Sequence, residues 1–162
     1  MSARAGSLKV MSASNGPAST NNQKMLSWSS IARGALAGLA IVVVAAIARA
    51  VLNHQMDDFK KSIWVYLLFV VVLVGYFVAG YVAGRARPDT PLANGALAGL
   101  GTVVLWIPIR VVIWAIREDG HALLKGNQAI LRPGQIFGAL VISTALGMVG
   151  ALIAARRSRT TT

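Results

Sequence analysis

Arg110 stands inside an otherwise apolar run, Ile107-Pro108-Ile109-Arg110-Val111-Val112-Ile113-Trp114. In hydrocarbon a central arginine costs about 2.5–3.5 kcal/mol on insertion scales, so it needs an anion or a route to the interface. Arg49 occupies the matching place in an earlier apolar run. Two readings of Arg110 stand. Its guanidinium snorkels to the end of its run, about seven residues or roughly 10 Å away. Alternatively, it faces neighbouring helices and holds a carboxylate, a lipid phosphate or a partner's anion. In that second reading Arg49 and Arg110 flank one anionic site, with Asp57, Asp58, Glu118 or Asp119 as resting partners. Pro108 adds a local device. Its ring removes a helix hydrogen bond to the Val104 carbonyl and predicts a kink beside Arg110.

Other reactive residue types are sparse. His54 and His121 sit in polar connections and lack metal-ligand spacing, so they read as loop residues. Ser143 and Thr144 lie in an apolar run, where their hydroxyls bond back to carbonyls of the preceding turn. The chain has no cysteine, which excludes disulfides, thiolate catalysis and Cys-based metal or iron–sulfur sites. No Ser/His/Asp set and no phosphate-binding glycine loop after a strand is present. The expectation is a protein with no catalytic residues, no metal and no cofactor.

The elements that carry these residues follow from composition. Of 162 residues, 56% are hydrophobic and 13% charged, where a soluble domain carries about 25% charged. Four apolar runs cover about 31–52, 62–84, 91–116 and 134–155. Each is long enough to cross roughly 30 Å of hydrocarbon as a helix. Residues 1–26 contain Arg4, Lys9 and Lys24 among small polar residues and no acid, and read as a disordered basic arm. Residues 27–157 form the membrane domain and 158–162 a short tail. The third connection, about 117–133, holds Leu123, Leu124, Ile130 and Leu131 and predicts a short surface helix.

The runs are duplicated. Gly34-Ala35-Leu36-Ala37-Gly38-Leu39 returns as Gly95-Ala96-Leu97-Ala98-Gly99-Leu100, with Arg49 and Arg110 equally far behind each copy. The second and fourth runs also end alike, with small residues four apart and then arginines. The predicted fold is therefore all-α, a polytopic membrane protein of four transmembrane helices in two tandemly repeated hairpins. Tandem hairpins share one topology, which predicts a pseudo-two-fold axis along the membrane normal. Glycines four apart recur at Gly34 and Gly38, Gly80 and Gly84, Gly95 and Gly99, and Gly134 and Gly138. This spacing lets helix backbones approach closely in lipid, so all eight are candidate helix-packing positions, first of all within the chain.

The stretch Ala79-Gly80-Tyr81-Val82-Ala83-Gly84-Arg85, a short turn, and Asn94-Gly95-Ala96-Leu97-Ala98-Gly99-Leu100 resembles a pattern in small four-span prokaryotic integral membrane proteins of unknown function. The resemblance spans the four runs and leaves out the N-terminal arm. It implies a bacterial inner-membrane setting and no catalytic residues.

The net charge of +11 is distributed as membrane flanks rather than as a nucleic-acid patch. Arg4, Lys9, Lys24, Arg33, Arg85, Arg87, Arg156, Arg157 and Arg159 fall on one side of a four-span topology. Lys60, Lys61, Arg117, Lys125 and Arg132 fall on the other, diluted by acids. The excess predicts cytoplasmic N- and C-termini. The basic flanks would meet anionic headgroups, at about 1 kcal/mol per Lys or Arg near the surface. The leading functional expectation is an accessory or scaffold protein that packs against partner subunits or itself through small-residue faces. The alternatives are a subunit of a small oligomeric transporter or channel, and a lipid- or anion-binding protein using Arg49 and Arg110.

Overall fold

In hydrocarbon no water is available to satisfy backbone N–H and C=O groups, so a spanning segment must close its hydrogen bonds internally. A computed structural model describes residues 26–56, 58–117 and 131–160. They form α1 (Trp28–Gln55), a 3₁₀ turn (Phe59–Lys61), α2 (Ile63–Ala86), α3 (Pro91–Arg117) and α4 (Pro133–Thr160). The shortest helix, α2, has 24 residues and rises about 36 Å. All four are long and apolar enough to cross a membrane. The chain is an all-α, multi-pass membrane protein. The predicted N-terminal arm and most of the third connection, with its expected surface helix, lie outside the described residues.

The helices overrun the apolar runs, most clearly in α4, which continues through Arg156 and Arg157 to Thr160. Cations in a last turn face the negative end of the helix dipole, which favours the extension. Ser158 and Thr160 donate their hydroxyls to the carbonyls of Ala154 and Arg156, both at 3.1 Å. At the start of α2 the Ser62 hydroxyl accepts the Trp64 N–H at 3.4 Å. Trp28 and Trp64 are exposed near helix ends, where indole favours the interface.

Polarity does not decide which face of each helix turns inward, because the faces are apolar all round. Volume decides instead. Ala35, Ala79, Ala83, Ala98, Ala151 and Ala154 are buried, while Leu36, Val44, Ile47, Phe69, Val70 and Phe137 are exposed. In lipid a large side chain facing outward loses nothing to solvation, and a small one facing inward lets backbones meet. A larger cluster sits at mid-height, where Val42, Tyr76 and Val103 pack with Leu73, Trp106 and Leu140.

The helices run in the order α1, α2, α4, α3 around the bundle. The hairpins α1–α2 and α3–α4 are antiparallel, α2 also packs on α4 and α3, and α1 packs on α3. Among the described residues α1 does not meet α4. This corrects the expected two-fold. An axis exchanging the hairpins would pair α1 with α4 wherever α2 pairs with α3. The cause is residue size. With Gly80 set against Gly150, the positions of α4 held by Ser143, Gly147 and Ala151 correspond in α2 to Leu73, Phe77 and Tyr81. Helix α4 therefore offers a small-residue face that α2 lacks, and both α2 and α3 enter it. The hairpins repeat in sequence but pack unequally.

Candidate functional site

The closest packing lies in the half of the bundle nearer the termini. Gly80 of α2 sits against the backbone of Gly147, and Gly147 against the backbone carbonyl of Gly95 in α3. A Cβ at Gly80 would lie 2.5 Å from the Gly147 Cα, and one at Gly147 would meet the Gly95 carbonyl oxygen. Backbone atoms cannot rotate away, so three helices meet where only glycine fits. Gly84 packs on Ala151, and Gly99 on the carbonyl of Ser143. Gly34 and Gly38 bring α1 against Ala79 of α2 and against Ala98 and Thr102 of α3.

Gly134 and Gly138 differ. No atom lies within 4 Å of a Cβ built at either position, so the expected packing within the chain does not hold there. They occupy the first turns of α4, ahead of the Ser143-Gly147-Ala151 face, and point away from α2 and α3. Gly147 and Gly150 are the packing residues that paired glycines do not reveal. Their sequence signal is mixed, since Gly147 stands four from Ser143 and from Ala151, and Gly150 four from Ala154.

Buried polar groups in this region are satisfied. Asn94 is fully buried. Its Oδ1 accepts the Ser27 N–H at 3.2 Å, and its Nδ2 donates to the Thr90 carbonyl at 3.0 Å and hydroxyl at 2.8 Å. It ties the start of α1 to the start of α3. The Thr102 hydroxyl is placed 3.0 Å from the Ala98 carbonyl and 3.3 Å from that of Ala35 in α1. Ser143 and Thr144 bond back to the Leu140 carbonyl at 3.1 and 2.7 Å, which leaves neither hydroxyl poised as a nucleophile.

The opposite end holds the arginines. Helices α1 and α3 run parallel and in contact, which brings Arg49 and Arg110 to one end of the bundle. Arg110 is half-buried and Arg49 exposed. Helix α3 continues through Pro108 to Arg117. Of the four acids considered as resting partners, only Asp58 is among the described residues, and it pairs with Lys61 at 3.5 Å on the surface. Asp57, Glu118, Asp119 and His121 lie outside the described residues. His54 is exposed, and no group of three metal-ligating side chains occurs among the described residues. Two guanidinium groups at one end of neighbouring helices are chemically suited to an oxyanion. This end of the bundle provides no described nucleophile with an adjacent base.

No family model, curated protein or solved structure matches the chain.

Proposed function

We propose that this protein is a membrane accessory or scaffold subunit that acts by helix–helix association and has no catalytic activity of its own. The observation that carries this reading is the division among its glycines. Gly34, Gly38, Gly80, Gly84, Gly95 and Gly99 are enclosed by the chain's own helices, whereas Gly134 and Gly138 are free. Gly134, Gly138, Val141, Ala145 and Met148 recur at alternating spacings of four and three along α4, the period of one helix seam. An apolar groove lined by Leu140, Val141, Thr144, Ala145 and Met148 continues the same face. The occupant of this seam is a transmembrane helix of a partner subunit, and self-association is an outcome of the test. The backbone contacts among α2, α3 and α4 argue against a solute path within one chain.

The seam is tested in native membranes with a photo-crosslinking side chain at Ala145 and, as a control, at Val44 on the lipid face of α1. The expected result is one protein adduct of discrete mass from position 145, lost in Gly138→Leu, and only lipid adducts from position 44. An adduct of twice the chain's mass assigns the seam to a second copy. The same lipid-only pattern from both positions overturns the reading.

The setting we propose is the bacterial inner membrane with both termini cytoplasmic, in keeping with the resemblance to small four-span prokaryotic proteins and with the basic flanks. The native chain lacks cysteine, so single substitutions at the exposed Met56 and Asp89 report sidedness cleanly. An impermeant thiol reagent added to intact cells should label Met56→Cys and spare Asp89→Cys. The reverse pattern contradicts the orientation.

A further inference from the structure

Snorkelling treats each arginine near a helix end singly and takes no account of two on neighbouring helices. Two cations relieve their repulsion by pointing apart, each to its own headgroup. Arg49 and Arg110 come from neighbouring parallel helices to one end of the bundle, where one anion between them would relieve that repulsion. Arg110 is the deeper of the two. Thr102 of α3 lies opposite Ala35 of α1, which sets Arg110 about two turns above that contact and Arg49 about four. The Arg110 backbone thus sits about two turns below that of Arg49. Asp58 is occupied by Lys61 and neutralises neither.

We propose that Arg49 and Arg110 form a binding site for a phosphate oxyanion at the end of the bundle that carries the 3₁₀ turn. A guanidinium presents a planar fork of donors that matches phosphate oxygens and stays charged at any physiological pH. Two forks at different depths grip one phosphate from below and from the side, which a single snorkelling side chain cannot do. The same chemistry serves the phosphodiester of an anionic lipid drawn from the adjoining leaflet and a phosphate group arriving from solution. The Lys61–Asp58 pair nearby is fully at the surface and takes no part. The site is independent of the α4 seam, so either proposal can fail alone.

The test uses the full chain in nanodiscs of phosphatidylcholine with a minor fraction of phosphatidylglycerol, followed by native mass spectrometry. The wild type should retain a phosphatidylglycerol that Arg110→Gln and the double variant Arg49→Gln/Arg110→Gln hold about tenfold or more weakly, the loss of charged hydrogen bonds. Lys61→Gln, at the same end, should retain it fully, which separates a built site from general surface charge. Circular dichroism confirms that each variant is folded, and Arg110→Lys, which keeps the charge without the fork, should recover only part of the retention. In lipid-free detergent, inorganic phosphate is titrated separately. Arginine-dependent binding there without lipid retention assigns the site to a soluble phosphate group. Equal retention by wild type and double variant, with no arginine-dependent binding of inorganic phosphate, overturns the proposal. So does an equal loss in Lys61→Gln.

Discussion

Gly147→Leu should abolish the folded bundle, while Gly138→Leu in the same helix should leave it intact. At Gly147 the first added carbon already meets the Gly95 carbonyl, with the Gly99 Cα 3.3 Å away. On its other side Gly147 supports Gly80. A leucine there must push α3 or α2 aside by the width of a side chain. Because α4 joins both helices through one narrow face, that displacement also strips the contacts of Ser143 and Ala151. Overpacking an ordinary core costs about 1–3 kcal/mol, and here the obstructing atoms are backbone on two sides, so a loss above about 3 kcal/mol is expected. At Gly138 nothing stands within 4 Å, and removing a helical glycine returns up to about 1 kcal/mol. Denaturant titration in mild detergent, followed by circular dichroism, checks both. Equal stability of the two variants would remove the backbone contact from the account.

Asn94→Leu should be the next most damaging change, with damage concentrated where α1 begins. Leucine shares asparagine's branching at Cγ and its number of side-chain heavy atoms, so the site stays filled. What is lost is the acceptor for the Ser27 N–H and the donor to Thr90. Leaving a fully buried donor without a partner costs about 1–3 kcal/mol, and the Ser27 N–H, at a half-buried residue, should lie toward the lower end of that range. Ser27 is the N-cap of α1, and its own side chain accepts no N–H of the first turn, so Asn94 is what fixes this end of the helix. Amide exchange should accelerate at Ser27 and through the first turn of α1, while α4 keeps its protection. Uniform acceleration across all four helices, or none at all, would mean that Asn94 does not tie α1 to α3.

The spans and hairpins were legible in the sequence because lipid imposes a crude requirement, about 20 apolar residues per crossing, and these runs meet it. Helix neighbours were harder to read. An apolar helix in an apolar solvent has no polar stripe to mark its outside, so orientation depends on side-chain volume. The repeated Gly34–Gly38 and Gly95–Gly99 segments face inward. Gly134 and Gly138 have the same spacing and face outward. The difference is set by what surrounds them, since the Ser143-Gly147-Ala151 face further along α4 fixes how that helix sits. The expected two-fold failed for a related reason. It was read from glycines shared by the hairpins, whereas packing is governed by Gly147, whose counterpart in α2 is the bulky Phe77. Asn94 was visible only as part of a motif, because nothing in a single sequence says that its amide reaches the turn before α1. That Arg49 and Arg110 lie toward one end of the bundle was legible from their matching places in the repeat. Of the acids considered as partners, Asp57, Glu118 and Asp119 lie outside the described residues.

The association reading and the bundle make separable demands. Gly138→Leu should preserve the fold and lose the partner, whereas Gly147→Leu should lose both. A protein that tolerated both substitutions and kept its adduct would be held together and recruited by other surfaces.

The central claim is that two hairpins interlock within the bilayer, with α1 lying directly along α3. A Cβ at Gly101 would be 3.2 Å from that of Ala35, a few tenths of an ångström short of the roughly 3.5–4.5 Å of a disulfide, and the chain contributes no cysteine of its own. The most direct measurement therefore places Ala35→Cys with Gly101→Cys and inserts a protease site between Pro88 and Asp89, in the turn joining the hairpins. After mild oxidation in native membranes and cleavage, the two halves should migrate as one species until reductant is added. Halves that separate without reductant, or join only between different chains, would contradict the structure described above.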